Sequence, residues 1–340
     1  MKKHKVLLLG LGFWGGHWID IITKTERSEL VGIAGSQQEV NSICEKYSLS
    51  KDIGYTDYKE AIETTKADIA IIVLPAVLHF DAAKLAMEKG INIIMEKPLS
   101  MNIEEAKKLI DIKKKCGNVK FMASQNYRWR PHNQTIKKAI LQGMIGDVED
   151  MLVEFRKPED LQGYRAGLDQ PLLRDVSIHH FDLMRFFTNS NCKEIYASSN
   201  RPTWSEFEGR PNTQAVITME KDIKITYNGS WASRGNHTSW DGNFTITGSK
   251  GVLTLDANDE VKFYEFKSNG EDVLQSKKEC GKKLEHVDME FTEIEYGFNK
   301  FMDCIEKDAI PETTLEDNYK SFAMVCGALE SVETNKVIKY

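Results

Sequence analysis

A charged pair ends an apolar stretch in "GINIIMEKPLS", which runs from Gly90 to Ser100. The isoleucines and the methionine are typical of a buried strand, which then ends on Glu96, Lys97 and Pro98. Charged side chains rarely stand at such a place. An ammonium at a strand end can hydrogen-bond a substrate hydroxyl and help to lower its pKa, so Lys97 is a candidate catalytic residue. A solvated lysine at a strand end is the commoner alternative.

Two adjacent histidines lie in a second polar stretch, "RDVSIHHFDLMRFF". On a helix, Asp175, His179 and Asp182 are spaced i, i+4, i+7 and share one polar stripe, whereas His180 falls on a mostly apolar one. His179, with a carboxylate about one turn away on either side, is therefore the acid–base candidate, and His180 is predicted to be a satisfied core residue. The spacing is equally compatible with a helix-surface ion pair at His179. It supports a metal site only poorly, since no cysteine or second suitable histidine is near.

A glycine motif, Gly10-x-Gly12-x-x-Gly15, lies between a predicted strand, Val6–Leu9, and a predicted helix. The first glycine allows a tight turn, the second lets a pyrophosphate approach the backbone, and the third lets helix and strand pack closely. The helix N-terminus then faces the anion. A glycine-rich connector in a fold that binds nothing is the alternative, but the strand–helix context favours dinucleotide binding.

The residues after the second predicted strand, Leu30–Ala34, bear on the choice between NAD and NADP. The acidic residue that binds an adenosine 2′-hydroxyl, expected about 20 residues after the glycines, is missing. The strand is followed by Gly35, Ser36 and Gln37. Ser36 can donate to a 2′-phosphate, although no arginine follows. NADP is therefore favoured slightly over NAD.

Strands and helices alternate through the first third of the chain. Short apolar strands such as "VLLL", "LVGIA" and "DIAIIVL" are separated by helical patterns, and the last strand, "VKFMAS", ends at Ser124. We therefore predict an α/β fold, with an N-terminal Rossmann domain over residues 1–124 that contains a doubly wound parallel sheet.

The remainder, residues 125–340, is predicted to be an α+β domain. Stretches such as "QAVITME", "IKITYNGSW" and "FTITG" are rich in β-branched and aromatic residues and are joined by short turns, as in a large, mainly antiparallel sheet. Helices are predicted at roughly Asp175–Phe187, Phe291–Ile305 and Glu316–Glu333.

The composition argues against several classes of protein. The chain has 340 residues and a formal net charge of −6, which makes nucleic acid an unsuitable partner. Six cysteines occur without a Cys-x-x-Cys pair, which argues against a disulfide framework or a zinc site and fits a cytoplasmic location. No apolar run approaches the roughly 20 residues of a spanning helix, and the N-terminus is predicted to be a strand rather than a signal peptide. Neither a metal nor a membrane partner is expected.

The motifs together resemble the Gfo/Idh/MocA family of NAD(P)-dependent oxidoreductases, named for glucose–fructose oxidoreductase and inositol dehydrogenase. The similarity spans nearly the whole chain, through "GLGFWG", "VLPAVLH", "GINIIMEKPLS", "NYRWRP", "GMIGDV", "RDVSIHHFD" and "ITGSKGVLTLD". The Glu-Lys-Pro motif with the later Asp-x-x-x-His is specific to this family. The resemblance implies that Lys97, Asp175 and His179 are catalytic. It also implies that Glu96 orients the loop and that the Lys97–Pro98 bond is cis.

Further site residues are implied by the same resemblance. Cofactor contacts are expected from Gly10, Gly12, Phe13, Trp14, Gly15, Ser36, Gln37, Pro75, His79, Glu96, Lys97 and Asn126. Substrate contacts are expected from Lys97, Arg128, Tyr164, Arg165, Asp175 and His179. Arg165 is equally compatible with a surface residue. Arg174 stands where many members have a small or apolar residue, which leaves the substrate open.

The implied reaction is hydride transfer between nicotinamide C4 and a carbinol carbon of a sugar, cyclitol or related polyol. His179 would take the hydroxyl proton, Lys97 would donate to the same oxygen, and Asp175 would fix an adjacent hydroxyl or the imidazole. Residues 125–340 would bind the substrate and form the interface of a homodimer or homotetramer through their sheet. The alternative is a sensor or regulator that binds dinucleotide without turnover, but such relatives tend to lose the lysine or histidine present here.

Overall fold

The computed structural model describes residues 3–158, 167–266 and 281–340, which form two compact units. The first unit comprises the chain up to Asn126 together with Phe291–Phe322. The second comprises Tyr127–Glu290 and Ala323–Tyr340. The sequence predicts one contiguous division after residue 124, whereas the first unit also takes in a segment from late in the chain.

The first unit contains a six-stranded parallel sheet with the strand order β3-β2-β1-β4-β5-β6. Its strands are β1 (His4–Leu9), β2 (Ser28–Ala34), β3 (Gly54–Tyr55), β4 (Ile69–Ile72), β5 (Asn92–Met95) and β6 (Phe121–Ala123). The helices between them are α1 (Phe13–Lys24), α2 (Gln37–Tyr47), α3 (Tyr58–Thr64), α4 (His79–Glu88) and α5 (Ile103–Lys115).

This sheet is the predicted doubly wound sheet. Val6–Leu9 in β1 and the whole of β4 are fully buried, as expected for strands that are covered on both faces. The order of the strands reverses between β1 and β4, which opens a crevice at their carboxyl ends. The α/β fold with a Rossmann-type sheet is thereby confirmed.

The second unit contains a nine-stranded sheet with the order β14-β13-β12-β11-β7-β10-β9-β8-β15. Its strands are β7 (Val148–Arg156), β8 (Cys192–Asn200), β9 (Asn212–Met219), β10 (Lys224–Ser230), β11 (Asn243–Gly248), β12 (Gly251–Leu255), β13 (Val261–Glu265), β14 (Lys282–Leu284) and β15 (Ile338–Lys339). The helices before β8 are α6 (Pro131–Leu141), α7 (Pro171–Asp175) and α8 (Ser177–Thr188). All neighbouring strands are antiparallel except β7 and β10, which confirms the mainly antiparallel sheet.

The two last helices are α9 (Glu293–Glu306) and α10 (Leu315–Thr334). Helix α9 belongs to the first unit because its side chains pack there. The ring of Phe298 meets Trp18 of α1 edge-on, with centroids 6.1 Å apart, and Arg27 donates to Asp303 at 2.7 Å. Helix periodicity alone gives the existence of α9 but not the domain on which its apolar face lies.

One face of the second sheet carries a row of exposed apolar side chains. Leu152, Thr226, Val216 and Tyr196 are successive cross-strand neighbours on β7, β10, β9 and β8, and the three apolar ones are exposed. The resemblance to the family implies that this sheet joins copies of the chain. None of the helices in the three described ranges is both long and apolar enough to span a membrane.

Candidate active site

The glycine motif forms the turn between β1 and α1. Gly10 has φ +102°, and a Cβ there would lie 2.5 Å from the carbonyl oxygen of Val73. A Cβ on Gly15 would collide with the carbonyl oxygen of Gly10. Gly12 differs, because nothing lies within 4 Å of where its Cβ would be. Two glycines are thus needed for packing, and Gly12 leaves open space in front of a helix N-terminus that no side chain caps.

A cavity of about 440 Å³, within the usual range of ligand pockets, opens in front of this turn. Four predicted cofactor residues line it: Gly10, Gly12, Ser36 and Pro75. Its wall also includes residues that were not predicted, among them Leu11, Gly35, Glu39, Thr56, Tyr58 and Leu74. The cavity therefore follows the carboxyl ends of β1, β2 and β4, where a doubly wound sheet binds nucleotides.

Glu39 is the most informative of the residues that sequence reasoning missed. Its carboxylate accepts hydrogen bonds from the amide of Ser36 at 2.8 Å and from the hydroxyl of Ser36 at 2.7 Å. Ser36 in turn caps α2 by accepting from the Glu39 amide, which completes a capping box. The Ser-x-x-Glu spacing is the signal that could have revealed it. The cavity thus contains a fixed carboxylate, although no acid directly follows β2.

Several predicted cofactor residues lie outside this cavity's wall. Phe13 and Trp14 are 77% and 39% exposed at the start of α1, and Phe13 packs on the ring of His17. Gln37 donates to Asn41 on the surface of α2. Asn126 is buried at the start of a short 3₁₀ turn, Asn126–Trp129. These four stay predictions as cofactor ligands.

His79 is buried beneath the segment that carries Lys97. Its two ring nitrogens lie 2.7 Å from the carbonyl oxygen of Pro98 and 2.8 Å from that of Leu74. Burial lowers the pKa of His79, so the neutral ring donates its single N–H to one of these carbonyls. His79 is thus placed to position the chain around Pro98.

Lys97 directly follows Glu96 at the carboxyl end of β5, and the Lys97–Pro98 peptide bond is cis, as the resemblance implied. The Glu96 amide donates to Ile72 in β4, and its carboxylate accepts from the indole of Trp18 at 3.1 Å. Burial raises the pKa of Glu96, while the bond from Trp18 and the charge of Lys97 oppose that rise. These contacts hold the half-buried Lys97 at the same edge of the sheet as the glycine turn.

The second unit contains the candidate acid–base group, His179, on helix α8. Its ring is stacked on Tyr127, with centroids 4.1 Å apart and planes within 9° of parallel. His179 is buried and does not lie on the helix surface. Asp175, half-buried, ends α7, and α8 begins only at Ser177. The single helix predicted from Asp175 is therefore broken, and Asp175 and His179 are not on one continuous helical stripe.

Two further predicted residues bind each other in the core. Arg128 donates to Asp182 through Nε at 2.5 Å and through Nη2 at 2.7 Å, and both side chains are buried. Asp182 is therefore a structural carboxylate rather than part of an exposed polar stripe, and the contacts of Arg128 suit a positioning residue. The predicted substrate residues Tyr164 and Arg165 lie outside the described residues.

His180 is the satisfied core residue that the helix periodicity predicts. It is fully buried, its Nε2 lies 3.0 Å from the carbonyl oxygen of Trp240, and its Nδ1 lies 2.9 Å from the hydroxyl of Tyr227. Burial lowers the pKa of His180 to about 4. The neutral ring can then donate to Trp240 and accept from Tyr227, so both nitrogens are satisfied.

A group of potential metal ligands occurs in the described chain near His180, since Asp241 directly follows Trp240. Ligand atoms of His132, Asp241 and Asp259 lie within 4.8 Å of one another. Asp241 already binds Arg130, and it accepts from Asn133 at 2.5 Å. Burial opposes ionisation of Asp241, but the bond from His132 and the charge of Arg130 prevail and lower its pKa. The compensated carboxylate suits a buried ion pair, and the absence of a metal stays a prediction.

Comparisons with known proteins agree with this geometry. Residues 4–124 match the family model "Oxidoreductase family, NAD-binding Rossmann fold", and residues 133–254 match the "GFO/IDH/MocA C-terminal domain". D-apiose dehydrogenase from Paraburkholderia graminis is 22% identical over 100% of this chain and 90% of that protein. Inositol 2-dehydrogenase from an Arthrobacter species is 22% identical over 74% of this chain and 75% of that protein.

A solved structure supports the same fold. An oxidoreductase from Agrobacterium radiobacter, in complex with NAD⁺, L-tartaric acid and magnesium, has a TM-score of 0.85 at 18% identity, over 99% of this chain and 98% of that one. The chain belongs to the Gfo/Idh/MocA family. It is accordingly an NAD(P)-dependent oxidoreductase of that family.

The open space at Gly12 yields a first prediction. Gly12→Val should leave the fold intact, because a Cβ there has no neighbouring atom within 4 Å, but should weaken NADH binding beyond detection by filling the space in front of the helix. Titration of NADH, followed by nicotinamide fluorescence, measures this. Gly16→Val is the control, since a Cβ there also meets nothing within 4 Å and Gly16 does not line the cavity. Equal NADH affinity in the two variants would show that the glycine turn does not bind the dinucleotide.

The environment of His180 yields a second prediction. Its folded pKa of about 4 lies below the usual 6.5, so the unfolded chain binds the proton more readily between these values. The contribution of His180 to the free energy of unfolding is therefore complete above pH 6.5 and decreases as the pH falls towards 4, by up to about 3 kcal/mol.

His180→Gln should remove this part of the acid sensitivity and should lower stability at pH 7. Calorimetric melting temperatures at pH 7, 6, 5 and 4.5 measure both effects. His237→Gln, which changes an exposed histidine of the same unit, is the control. A parallel pH dependence in the wild type and His180→Gln contradicts the assignment.

Proposed function

We propose that this protein transfers a hydride between a nicotinamide dinucleotide and a carbinol or carbonyl carbon of a sugar, cyclitol or related polyol. The observation that carries the proposal lies within the first unit. One edge of one parallel sheet carries the glycine turn with its open space at Gly12, the cavity in front of that turn, and Lys97 after β5. A dinucleotide and a proton-handling group are both needed for such a reaction, and this edge has a place for each.

The residues of the chain divide the proton chemistry between them. Bound nicotinamide would supply the hydride acceptor or donor at C4. For oxidation, His179 would accept the hydroxyl proton, and its stacking on Tyr127 restricts the plane of the ring. Lys97 would donate a hydrogen bond to the same oxygen and stabilise its developing charge. Asp175, at the end of α7, would bind an adjacent hydroxyl or the imidazole.

The substrate class is supported by the relatives. Proteins named D-apiose dehydrogenase and inositol 2-dehydrogenase, after a sugar and a cyclitol, are similar to this chain over all or three quarters of its length. Both names denote dehydrogenases. Their identities of 22% support the class of reaction and leave the individual substrate to be measured.

We also propose NAD rather than NADP as the preferred cofactor. The sequence favours NADP slightly because no acid directly follows β2, but the capping box brings the Glu39 carboxylate into the wall of the cavity. A carboxylate there would accept hydrogen bonds from ribose hydroxyls and would repel a 2′-phosphate. The similar Agrobacterium radiobacter oxidoreductase was solved with NAD⁺, which is consistent with this proposal.

The roles of Lys97 and His179 give a third prediction. Lys97→Ala and His179→Ala should each lower kcat by about 10²–10⁴-fold, the usual contribution of an acid–base group. NADH affinity should stay nearly unchanged, because neither residue lines the cavity in front of the glycine turn. Steady-state rates with a panel of aldoses and polyols and their keto forms, together with NADH titrations, measure the two effects. Full activity in Lys97→Ala would contradict the catalytic assignment and would leave Lys97 as an ordinary lysine at the end of a strand.

The position of Glu39 gives a fourth prediction. The wild type should bind NADH more tightly than NADPH, and Glu39→Gln should shift the ratio of the two affinities towards NADPH by about tenfold, or 1.4 kcal/mol. Glutamine can maintain the capping box, so the change isolates the charge. Glu45→Gln, on an exposed position of the same helix, should leave the ratio unaltered. Tighter NADPH binding by the wild type, with no effect of Glu39→Gln, would show that Glu39 does not select the cofactor.

A further inference from the structure

We infer that the second unit contains a subsite for the anionic group of a sugar. The subsite is formed by Lys157, Trp204, Arg234 and Trp240, which we call the aromatic–cationic surface. The inference rests on the proposed function, because it names the substrate class within it: a sugar that carries a carboxylate or a phosphate.

Main-chain contacts bring these residues together beyond the ends of β7 and β10. The amide of Lys157 donates to the carbonyl of Ser230 at 3.0 Å, and the next residue, Pro158, forms a bridge with Ala232. The indole N–H of Trp204 donates to the carbonyl of Ala232 at 2.9 Å. Three separate segments of the chain are therefore fixed side by side.

Each cation of this surface lies beside an exposed indole. The ammonium of Lys157 is 5.1 Å from the ring centroid of Trp240, and the guanidinium of Arg234 is 5.1 Å from that of Trp204. The two indoles are 37% and 48% exposed, although tryptophan is highly buried on average. Across the described ranges, no carboxylate forms an ion pair with Lys157 or Arg234. Their N–H groups can therefore donate to an incoming anion.

The aromatic–cationic surface is anchored beside the helix that carries the proposed base. The carbonyl of Trp240 lies 3.0 Å from Nε2 of His180, the residue after His179. The ring of Phe155 contacts both, with centroids 4.8 Å from His180 and 6.1 Å from Trp240. A ligand that lies on the indole of Trp240 is therefore held next to α8.

The chemistry of the surface favours an anionic sugar over a neutral one. Indole faces pack against the C–H faces of a sugar ring, which bury apolar area at little cost in conformational freedom. The two cations add charge-assisted hydrogen bonds to a carboxylate or a phosphate. A neutral polyol would shield the same two cations from water without supplying a counter-charge, which disfavours its binding relative to an anionic sugar.

Three sugars that differ only at C6 test the inference: D-glucose, D-glucuronate and D-glucose 6-phosphate. Each is titrated calorimetrically into the full-length protein with saturating NAD⁺, and inorganic phosphate is titrated as the control for an adventitious ion only. We expect at least one anionic sugar to bind about 10- to 100-fold more tightly than glucose. The carboxylate and phosphate arms then identify the anion.

The double substitution Lys157→Met with Arg234→Met should abolish this preference while NADH affinity stays unchanged. Lys221→Met, before the opposite end of β10, should preserve it.

Four results overturn the inference: equal binding of all three sugars, binding of none of them, equally tight binding of inorganic phosphate, or a preference that survives the double substitution. The inference is also overturned if the double substitution lowers the solution mass from that of an oligomer to that of a monomer and leaves the sugar affinity unchanged. The surface would then join copies of the chain rather than bind a sugar. NADH binding and turnover of a neutral polyol would leave the proposed hydride transfer standing in each case, whereas absence of both would refute that function itself.

Discussion

Backbone atoms approach each other at Gly10 more closely than any side chain permits. A Cβ there would lie 2.5 Å from the carbonyl oxygen of Val73, and a Cβ on Gly15 would collide with Gly10 itself. This contact brings the start of α1 against the ends of β1 and β4, where the order of the sheet reverses. The open space at Gly12 and the uncapped helix N-terminus exist because the two neighbouring glycines allow that approach.

Helix α1 also supports the segment that carries Lys97, the proposed catalytic lysine. Trp18, one turn after Gly15, donates to the carboxylate of Glu96, whose amide is bound by β4. The position of Lys97 therefore depends on the same helix whose uncapped N-terminus faces the open space at Gly12. A hydrogen bond from a buried indole restricts a carboxylate that burial alone would disfavour in its charged form. One close-packed helix thus links the proposed cofactor site and the proposed catalytic lysine of the first unit.

Short-range patterns predicted the elements better than they predicted the partners of side chains. The Rossmann fold could be predicted from patterns such as the buried run Val6–Leu9 and the glycine turn after it, because periodicity and turn chemistry are local properties of the sequence. The break in the helix at Val176 was missed, since the stretch from Asp175 onward keeps helical spacing across it. The pairing of Asp182 with Arg128 joins residues 54 positions apart, and no spacing rule reports such a contact. The capping box that contains Glu39 could have been predicted from the Ser-x-x-Glu spacing. Only the fold shows that this cap lies in the wall of the cavity.

The most direct test of the central claim is a crystal structure of the full-length protein with NADH. We predict that the pyrophosphate lies against the backbone amides at Gly12, within normal hydrogen-bond distance of about 3 Å. We also predict that the adenosine ribose contacts the carboxylate of Glu39. NADH bound elsewhere, with the space at Gly12 filled by solvent, would contradict the account of this sheet edge as the cofactor site.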